Sequence, residues 1–156
     1  MRVVVLGLGN ILLRDEGVGV RVVEALAERY VLPPEVEVVD GGTAGMELLN
    51  VIASCDHLLI CDAVKGDVPP GTVIKLVDAE IPTFFQMRYS PHQLGLADVL
   101  ATLTLSDEAP RAVTLIGVVP LDLELGIELS PEVGAAVGKA VEEVAGELRG
   151  LGFCLC

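Results

Sequence analysis

Positively charged residues are scarce in this chain. Its 156 residues include only 10 lysines and arginines against 23 aspartates and glutamates, which gives a formal net charge of −13. No cluster of basic residues interrupts this pattern, so the summed electrostatic field repels polyphosphate chains. The composition therefore argues against nucleic acid as a partner.

The chain also lacks a long hydrophobic run. Although 52% of its residues are hydrophobic, no apolar stretch approaches the roughly 20 residues that cross a bilayer. The opening, MRVVVLGLGN, has no charged segment followed by a cleavage site. We therefore expect a cytoplasmic protein without a membrane partner, folded as one domain over 1–156, because this length is enough to bury a core.

Cysteines are few, and none are spaced as C-x-x-C. The four are Cys55, Cys61, Cys154 and Cys156, and a chain of this size folds without disulfide bonds. We predict that Cys55 and Cys61 are small hydrophobic residues of the core. The C-L-C ending offers two thiols to a soft metal, but a chain terminus is commonly frayed, so this indication is weak.

Several common catalytic motifs are missing. The opening G-L-G-N would need a glycine at position 12 to form the dinucleotide fingerprint G-x-G-x-x-G, and Leu12 stands there. The chain contains no P-loop, no G-x-S-x-G nucleophile elbow and no H-E-x-x-H helix. Nucleotide binding, serine hydrolase chemistry and the common metalloprotease template are therefore not indicated.

The chain does contain alternating strand and helix patterns. Apolar, β-branched runs predict strands at 2–8, 35–40, 57–63, 72–77 and 112–119. The fourth follows a loop too short for a crossover helix, so we expect it to be an antiparallel edge strand. Helical patterns follow the first, second and fifth strands, and another helical pattern precedes the fifth. This order predicts an α/β fold of three layers, in which a twisted, mostly parallel five-stranded sheet has helices on both faces.

Particular helix boundaries follow from local signals. Pro33 and Pro34 are expected to end the first helix, and Ser130 with Pro131 to begin the last. After Asp40 ends the second strand, a helix is expected that carries Met46, Leu49 and Ala53 on one face. The helix from Pro91 has a predicted capping box formed by Ser90 and Gln93. The preceding segment, 78–89, has no regular period and holds most of the aromatic residues, which is typical of a functional loop or lid.

Three residues with metal-binding side chains are predicted to meet at one edge of the sheet. In such folds, ligands bind beyond the carboxyl ends of the strands. Glu16 lies just after the first strand, Asp62 ends the third, and His92 lies in the first turn of a helix that must begin at the same edge. Two nearby carboxylates repel each other, and a divalent cation removes that conflict. The helix dipole favours the neutral, metal-binding imidazole, so the set suits nickel or zinc better than calcium.

Each of these residues also has a simpler explanation. An acid at a helix start, such as Glu16, is more often a partner of the helix dipole. A first-turn histidine such as His92 is often a surface residue, and an aspartate at a strand end such as Asp62 is often a turn residue. Only their predicted convergence favours a common site.

Five segments of the chain form a collinear and specific pattern. They are GLGNILLRDEGVG, DGGTAGMELL, ICDAV, SPHQLGLADVL and IGVVPLDLELGIELSP. Together they resemble the hydrogenase maturation proteases, which remove a carboxyl-terminal peptide from the large subunit of nickel-iron hydrogenases. The resemblance implies an endopeptidase whose partner is the large-subunit precursor, and which acts after nickel has been inserted.

The resemblance also implies roles for the three candidate residues. In that family, the acid of the D-E-G motif, the acid that ends the third strand and the histidine of the S-x-H motif bind nickel. These positions correspond to Glu16, Asp62 and His92, which would be the metal ligands and, through the metal, the catalytic residues. The nickel is expected to come with the precursor, and zinc or cadmium to substitute in vitro. Either the metal serves recognition alone, or the metal or Asp62 activates the attacking water.

A second motif gives candidate substrate contacts. Asp40, Gly41, Gly42 and Thr43 match the family pattern, although a tight turn that needs glycine explains them equally well. The acidic loop around Asp122 and Glu124 is expected to be a solvated face, and the protein to be a monomer.

Two other functions remain open at this stage. A nickel-binding assembly chaperone would use the same ligands without cutting anything. A peptidyl-tRNA hydrolase also opens with G-L-G-N, but it needs an early catalytic histidine and a basic channel, whereas the first histidine here is His57.

Overall fold

The computed structural model describes the backbone of residues 1–81 and 91–156, and the side chains of the same residues except 91–95. The strands are β1 (Val3–Leu8), β2 (Val36–Gly42), β3 (His57–Ala63), β4 (Val73–Val77) and β5 (Ala112–Val118). The α-helices are α1 (Val18–Arg29), α2 (Leu49–Ile52), α3 (Pro91–Leu105) and α4 (Pro131–Gly150). Short 3-10 helices lie at Arg14–Gly17, Met46–Leu48 and Asp78–Glu80.

The strands form one five-stranded sheet in the order β2-β1-β3-β5-β4. β1 pairs in parallel with β2 and β3, and β3 pairs in parallel with β5. β4 lies at one edge and is antiparallel to β5. Every residue of β1 and β3 is buried, as expected for central strands covered on both faces. The predicted mostly parallel sheet with an antiparallel edge strand is confirmed.

Helices cover both faces of the sheet, which confirms the predicted three layers. Because side chains alternate along a strand, Val3 and Val5 of β1 belong to the core beneath α1 and α4. Val4 and Leu6 belong to the opposite core, beneath α2 and α3. Because β1, β3 and β5 run parallel, their carboxyl ends lie at one edge of the sheet. The loops that follow β1 and β5 come together there.

Among the described residues, no helix combines the length and apolarity needed to cross a bilayer.

The second helix differs from its prediction. β2 does not stop at Asp40 but continues to Gly42, because Gly42 pairs with Leu8 of β1. A single 3-10 turn and the four-residue α2 follow. Of the predicted face, Leu49 and Ala53 pack partly buried against the core. Met46 is exposed, and Leu48 and Ile52 are the buried residues of this segment. The glycines extend the strand, so the helix begins later and buries a different face.

Two helix ends also differ in detail. α1 ends at Arg29, before the prolines predicted to end it, because Tyr30 turns to an extended conformation. The Tyr30 hydroxyl then donates to the Glu142 carboxylate of α4 at 2.8 Å. α4 begins after Ser130 as predicted, but the Ser130 side chain makes no capping hydrogen bond.

The edge opposite the predicted site holds a buried histidine. His57 begins β3, and its Nε2 lies 2.9 Å from Oγ1 of Thr114 in β5. Burial lowers the pKa of His57, although the negative charges of Glu147 and Asp78 act in the opposite direction. The His57 imidazole is therefore held in its neutral form within the core.

The four cysteines are free, and their positions follow the sequence pattern. Cys55 and Cys61 are buried, as predicted, and Cys154 and Cys156 are exposed. The last segment is not frayed: the Val31 amide donates to the Cys156 carbonyl at 2.7 Å. Phe153 and Leu155 pack against the core beneath α1 and α4.

Candidate functional site

The loop after β1 folds tightly over the carboxyl ends of β1 and β3. Gly9 has a φ of +127°, and a Cβ there would lie 1.9 Å from the Glu16 carbonyl oxygen. A Cβ on Gly19 would lie 2.0 Å from the carbonyl oxygen of Cys61, the residue before Asp62. Only glycine fits at such distances. The 3-10 helix that contains Glu16 is thereby brought against the end of β3.

Glu16 and Asp62 are both buried at this edge. Their exposed fractions are 3% and 1%, and the 3-10 helix Arg14–Gly17 contacts β3 directly. One carboxylate oxygen of Asp62 accepts the Ala63 amide at 2.8 Å. Burying two carboxyl groups on adjacent elements is unfavourable unless bonds or a cation compensate. A dipole partner on the surface and an ordinary turn residue would both be expected to face solvent, so the simpler explanations fit poorly.

Position 92 lies in the first turn of α3. Beyond the carboxyl end of this helix, the Glu108 carbonyl accepts the Ser54 amide beside the amino end of β3. Fifteen residues of α-helix span about 22 Å, so the first turn lies toward the carboxyl edge, as the topology requires. The side chains of His92 and Gln93, and the whole of 82–90 with Ser90, lie outside the described residues. The capping box, the lid and the contribution of the His92 imidazole stay predictions.

Within the part of the chain that the structure describes, no three His, Cys, Asp or Glu side chains are grouped to hold a metal ion. Two of the three predicted ligands, Glu16 and Asp62, fall inside that part. Carboxylate oxygens at a partly dry edge are suitable ligands for a divalent cation, and an imidazole would add nitrogen to the set. The two described residues are thus compatible with the predicted site but do not complete it.

Asp15 is the main residue of this edge that the sequence did not reveal. It is fully buried, and its carboxylate accepts the amides of Leu121 and Asp122, both at 2.9 Å. It also accepts the Ser130 amide at 2.8 Å and the Ser130 hydroxyl at 2.7 Å. Burial raises the pKa of Asp15, but these hydrogen bonds outweigh burial and leave the pKa below its usual value. Asp15 is therefore an ionised anchor.

The anchor joins the loop after β1 to the loop after β5. The Arg14 amide donates to the Gly126 carbonyl at 2.9 Å, and the Gly126 amide donates to the Leu12 carbonyl at 2.8 Å. The Arg14 side chain pairs with the Asp122 carboxylate at 3.3 Å. The expectation of a solvated acidic face is therefore wrong for Asp122, which is half-buried, whereas Glu124 is exposed as expected.

The predicted substrate motif lines a cavity beside this edge. The cavity has a volume of about 310 Å³. It is bounded by the loop after β1, by α1 and by the end of β2 with the residue that follows, namely Gly9, Asn10, Ile11, Leu12, Val20, Asp40, Gly42 and Thr43. Gly41 is buried and does not line the cavity. Gly42 has a φ of +48°, and its amide donates to the Asp40 side chain at 3.0 Å. The motif thus forms the tight turn and also lines an open cavity.

The buried thiol beside Asp62 is chemically inert. Burial and the negative charge of Asp62 raise the pKa of Cys61 to about 12. The sulfur therefore stays protonated at neutral pH, and a protonated thiol is a poor nucleophile. Carboxylate chemistry, rather than cysteine chemistry, fits this end of β3.

Comparisons with known proteins show which family the chain belongs to. The family model described as hydrogenase maturation protease matches residues 20–147. Over 153 residues the chain is 54% identical to the hydrogenase 2 maturation protease of Escherichia coli (strain K12), which covers 97% of this chain and 93% of that protein. It is 44% identical over 124 residues to the hydrogenase expression/formation protein HupD of Rhodobacter capsulatus. That alignment covers 79% of this chain and 59% of the HupD protein.

Solved structures give the same result. The hydrogenase maturating endopeptidase HybD from E. coli superimposes with a TM-score of 0.95 at 53% identity, over 99% of this chain and 96% of that chain. The NiFe hydrogenase maturation protease HybD from Thermococcus kodakarensis superimposes with a TM-score of 0.78 at 35% identity, over 95% of this chain and 99% of that chain. These matches do not favour a peptidyl-tRNA hydrolase. By its sequence and by its fold, the chain belongs to the hydrogenase maturation protease family.

Proposed function

We propose that this protein is an endopeptidase that removes the carboxyl-terminal peptide of a nickel-iron hydrogenase large-subunit precursor after nickel insertion. The observation that carries the proposal is the burial of Glu16 and Asp62 at the carboxyl edge of the sheet. This pair lies in a chain whose relatives are named maturation proteases. We further propose that the protein works as a monomer in the cytoplasm, with the precursor as its partner.

In this proposal, Glu16, Asp62 and His92 bind the nickel that the precursor carries. Two carboxylates and one imidazole provide oxygen and nitrogen ligands, which suit a borderline divalent ion, so zinc or cadmium should substitute in vitro. A cation held by these side chains would polarise the scissile carbonyl or lower the pKa of a water molecule. In this proposal the nickel belongs to the substrate, and the protease supplies ligands that detect it.

The cavity lined by Asp40, Gly42 and Thr43 is the proposed site for the peptide segment next to the cut. It is open to solvent and bounded on its other side by Asn10 and Leu12. Its volume of about 310 Å³ suits a short stretch of extended peptide rather than a folded domain. The loop that carries Glu16 forms one wall, so a peptide bound there would pass close to the proposed ligands.

The decisive experiment compares nickel-loaded and nickel-free precursor. Metal-stripped protein is mixed with each, and the mass of the large subunit is followed by mass spectrometry. We expect only the nickel-loaded precursor to be shortened. Equal cleavage of both forms would contradict recognition of substrate nickel. If the large subunit keeps its full mass with every metal tested, the protein is not a protease and a nickel-binding chaperone becomes the better explanation.

A further inference from the structure

The edge near Glu16 also carries an unusual set of exposed aliphatic side chains. We call them the rim face, and they are Ile11, Leu12, Leu121, Leu123, Leu125 and Ile127. The largest exposed fractions are 84% for Leu125 and 65% for Ile127. Single exposed leucines are ordinary on protein surfaces, but a grouped set marks an interaction site.

The rim face is one surface, although its residues come from two loops. The backbone bonds of Gly126 to Leu12 and Arg14 join the loop after β1 to the loop after β5. The four hydrogen bonds to Asp15 fix the second loop where it leaves the sheet and where it enters α4. The exposed side chains are therefore held on an ordered backbone, and binding would not require the loops to fold first.

Charge on the rim face argues against a second copy of this chain as the occupant. Glu124 and Glu128 are exposed and alternate in sequence with the aliphatic residues. Glu132, at the start of α4, lines the same surface depression as Glu124. In a twofold contact, each patch meets its own equivalent, so these glutamates would face one another. Like charges at an interface are unfavourable, whereas a basic partner would be attracted.

We propose that the rim face docks the folded body of the hydrogenase precursor, through an apolar patch bordered by lysine or arginine. This inference rests on the proposed function. The rim face adjoins the loop that carries Glu16, so a body bound there would hold its own tail near the cut site. The cavity beside Thr43 takes only a short peptide, and a second contact raises the effective concentration of that peptide.

The test uses the full protein and the full-length precursor. The double variant Leu125→Ser and Ile127→Ser removes the two most exposed side chains of the rim face. The matched control is Leu105→Ser, because Leu105 is 90% exposed at the far end of α3. Binding is measured by surface plasmon resonance, cleavage by the KM and kcat for the precursor, and self-association by analytical ultracentrifugation. We expect Kd and KM to rise about tenfold or more in the double variant, while the control matches the wild type.

Charge reversal gives a second arm. The variant Glu124→Lys with Glu128→Lys should bind the precursor more weakly, and the loss of affinity should shrink as salt is added.

If the precursor binds the variant with Leu125→Ser and Ile127→Ser as tightly as it binds the control, the inference is overturned, even if cleavage proceeds normally. A wild-type dimer that the double variant abolishes would also overturn it, since the face would then serve self-association. If the wild-type protein binds the precursor but never cleaves it, the proposed protease activity is refuted while the proposed docking surface is retained.

Discussion

The Ser130 hydroxyl donates a 2.7 Å hydrogen bond to the Asp15 carboxylate, across 115 residues of chain. This bond joins the start of α4 to the 3-10 helix that contains Glu16. The hydroxyl that a sequence pattern assigns to helix capping is therefore used to hold the candidate site together.

Replacing Asp15 should destabilise the protein more than replacing Ser130. In Asp15→Asn, one oxygen becomes a donor and faces amides that also donate, so we expect a loss of about 2–4 kcal/mol. Ser130→Ala removes one hydroxyl donor and should cost about 1 kcal/mol. Urea unfolding followed by circular dichroism measures both, with the exposed Asp67→Asn as the control. The anchor role is wrong if Asp15→Asn and Asp67→Asn unfold at the same urea concentration.

The proposed ligands make a separate prediction about activity. Asp62→Asn and His92→Ala should each lower the cleavage rate by about 100-fold or more, because each removes a ligand or a charge from the reacting centre. Both variants should remain folded, as judged by near-ultraviolet circular dichroism.

Asp67→Asn is again the matched control, since Asp67 is exposed in the loop after β3, and it should cleave at the wild-type rate. Unchanged cleavage by both ligand variants would remove these residues from the site.

Gly19 should not tolerate even a methyl group. A Cβ there would overlap the carbonyl oxygens of Cys61 and Leu8, which belong to the strand backbone and cannot rotate away. We expect Gly19→Ala to cost about 3 kcal/mol or more. Gly146→Ala in α4 is the control, because nothing lies within 4 Å of its added Cβ and alanine favours a helix by up to about 1 kcal/mol. Differential scanning calorimetry should therefore show opposite shifts, and a stable Gly19→Ala variant would contradict the close packing.

The buried His57 predicts how stability depends on pH. Burial lowers the pKa of His57 in the folded state below the reference value of 6.5, so the unfolded chain binds the proton more readily. The His57 contribution is complete above the unfolded pKa and is lost as the pH falls toward the folded pKa. The free energy of unfolding should therefore decrease between about pH 7.5 and pH 5.

The variant His57→Gln isolates this contribution, since glutamine can still bond Thr114 but does not titrate in this range. Urea unfolding at the two pH values should show a flatter dependence for the variant. An identical slope in wild type and variant would mean that other groups cause the effect.

The fold was largely predictable because the strands carry strong local signals. β1 and β3 are continuous apolar runs, and the short loop before β4 leaves no room for a crossover helix. The late start of the second helix and the residues that it buries were not predictable, because glycine usually interrupts a strand. Here Gly41 and Gly42 continue β2, since pairing with β1 outweighs their weak strand preference.

The candidate site was predictable only in part. Topology brings Glu16 and Asp62 to one edge, and this follows from the order of strands. The sequence could not show that Asp15, rather than its neighbour, would be the anchor, because its donors lie 106 to 115 residues away. Asp15 and Glu16 are equivalent acids in the sequence, and only the donors from the loop after β5 distinguish Asp15.

The close contacts of Gly9 and Gly19 have a consequence for how such a site can change. Both glycines press backbone against backbone, so the loop that carries Glu16 cannot shift to compensate for a different side chain. A shorter acid, as in Glu16→Asp, would withdraw its carboxylate by about one carbon–carbon bond, or about 1.5 Å. The length of the acid at position 16 is thus the adjustable dimension of this edge, and under the proposed function it would set how far the carboxylate reaches toward nickel in the precursor.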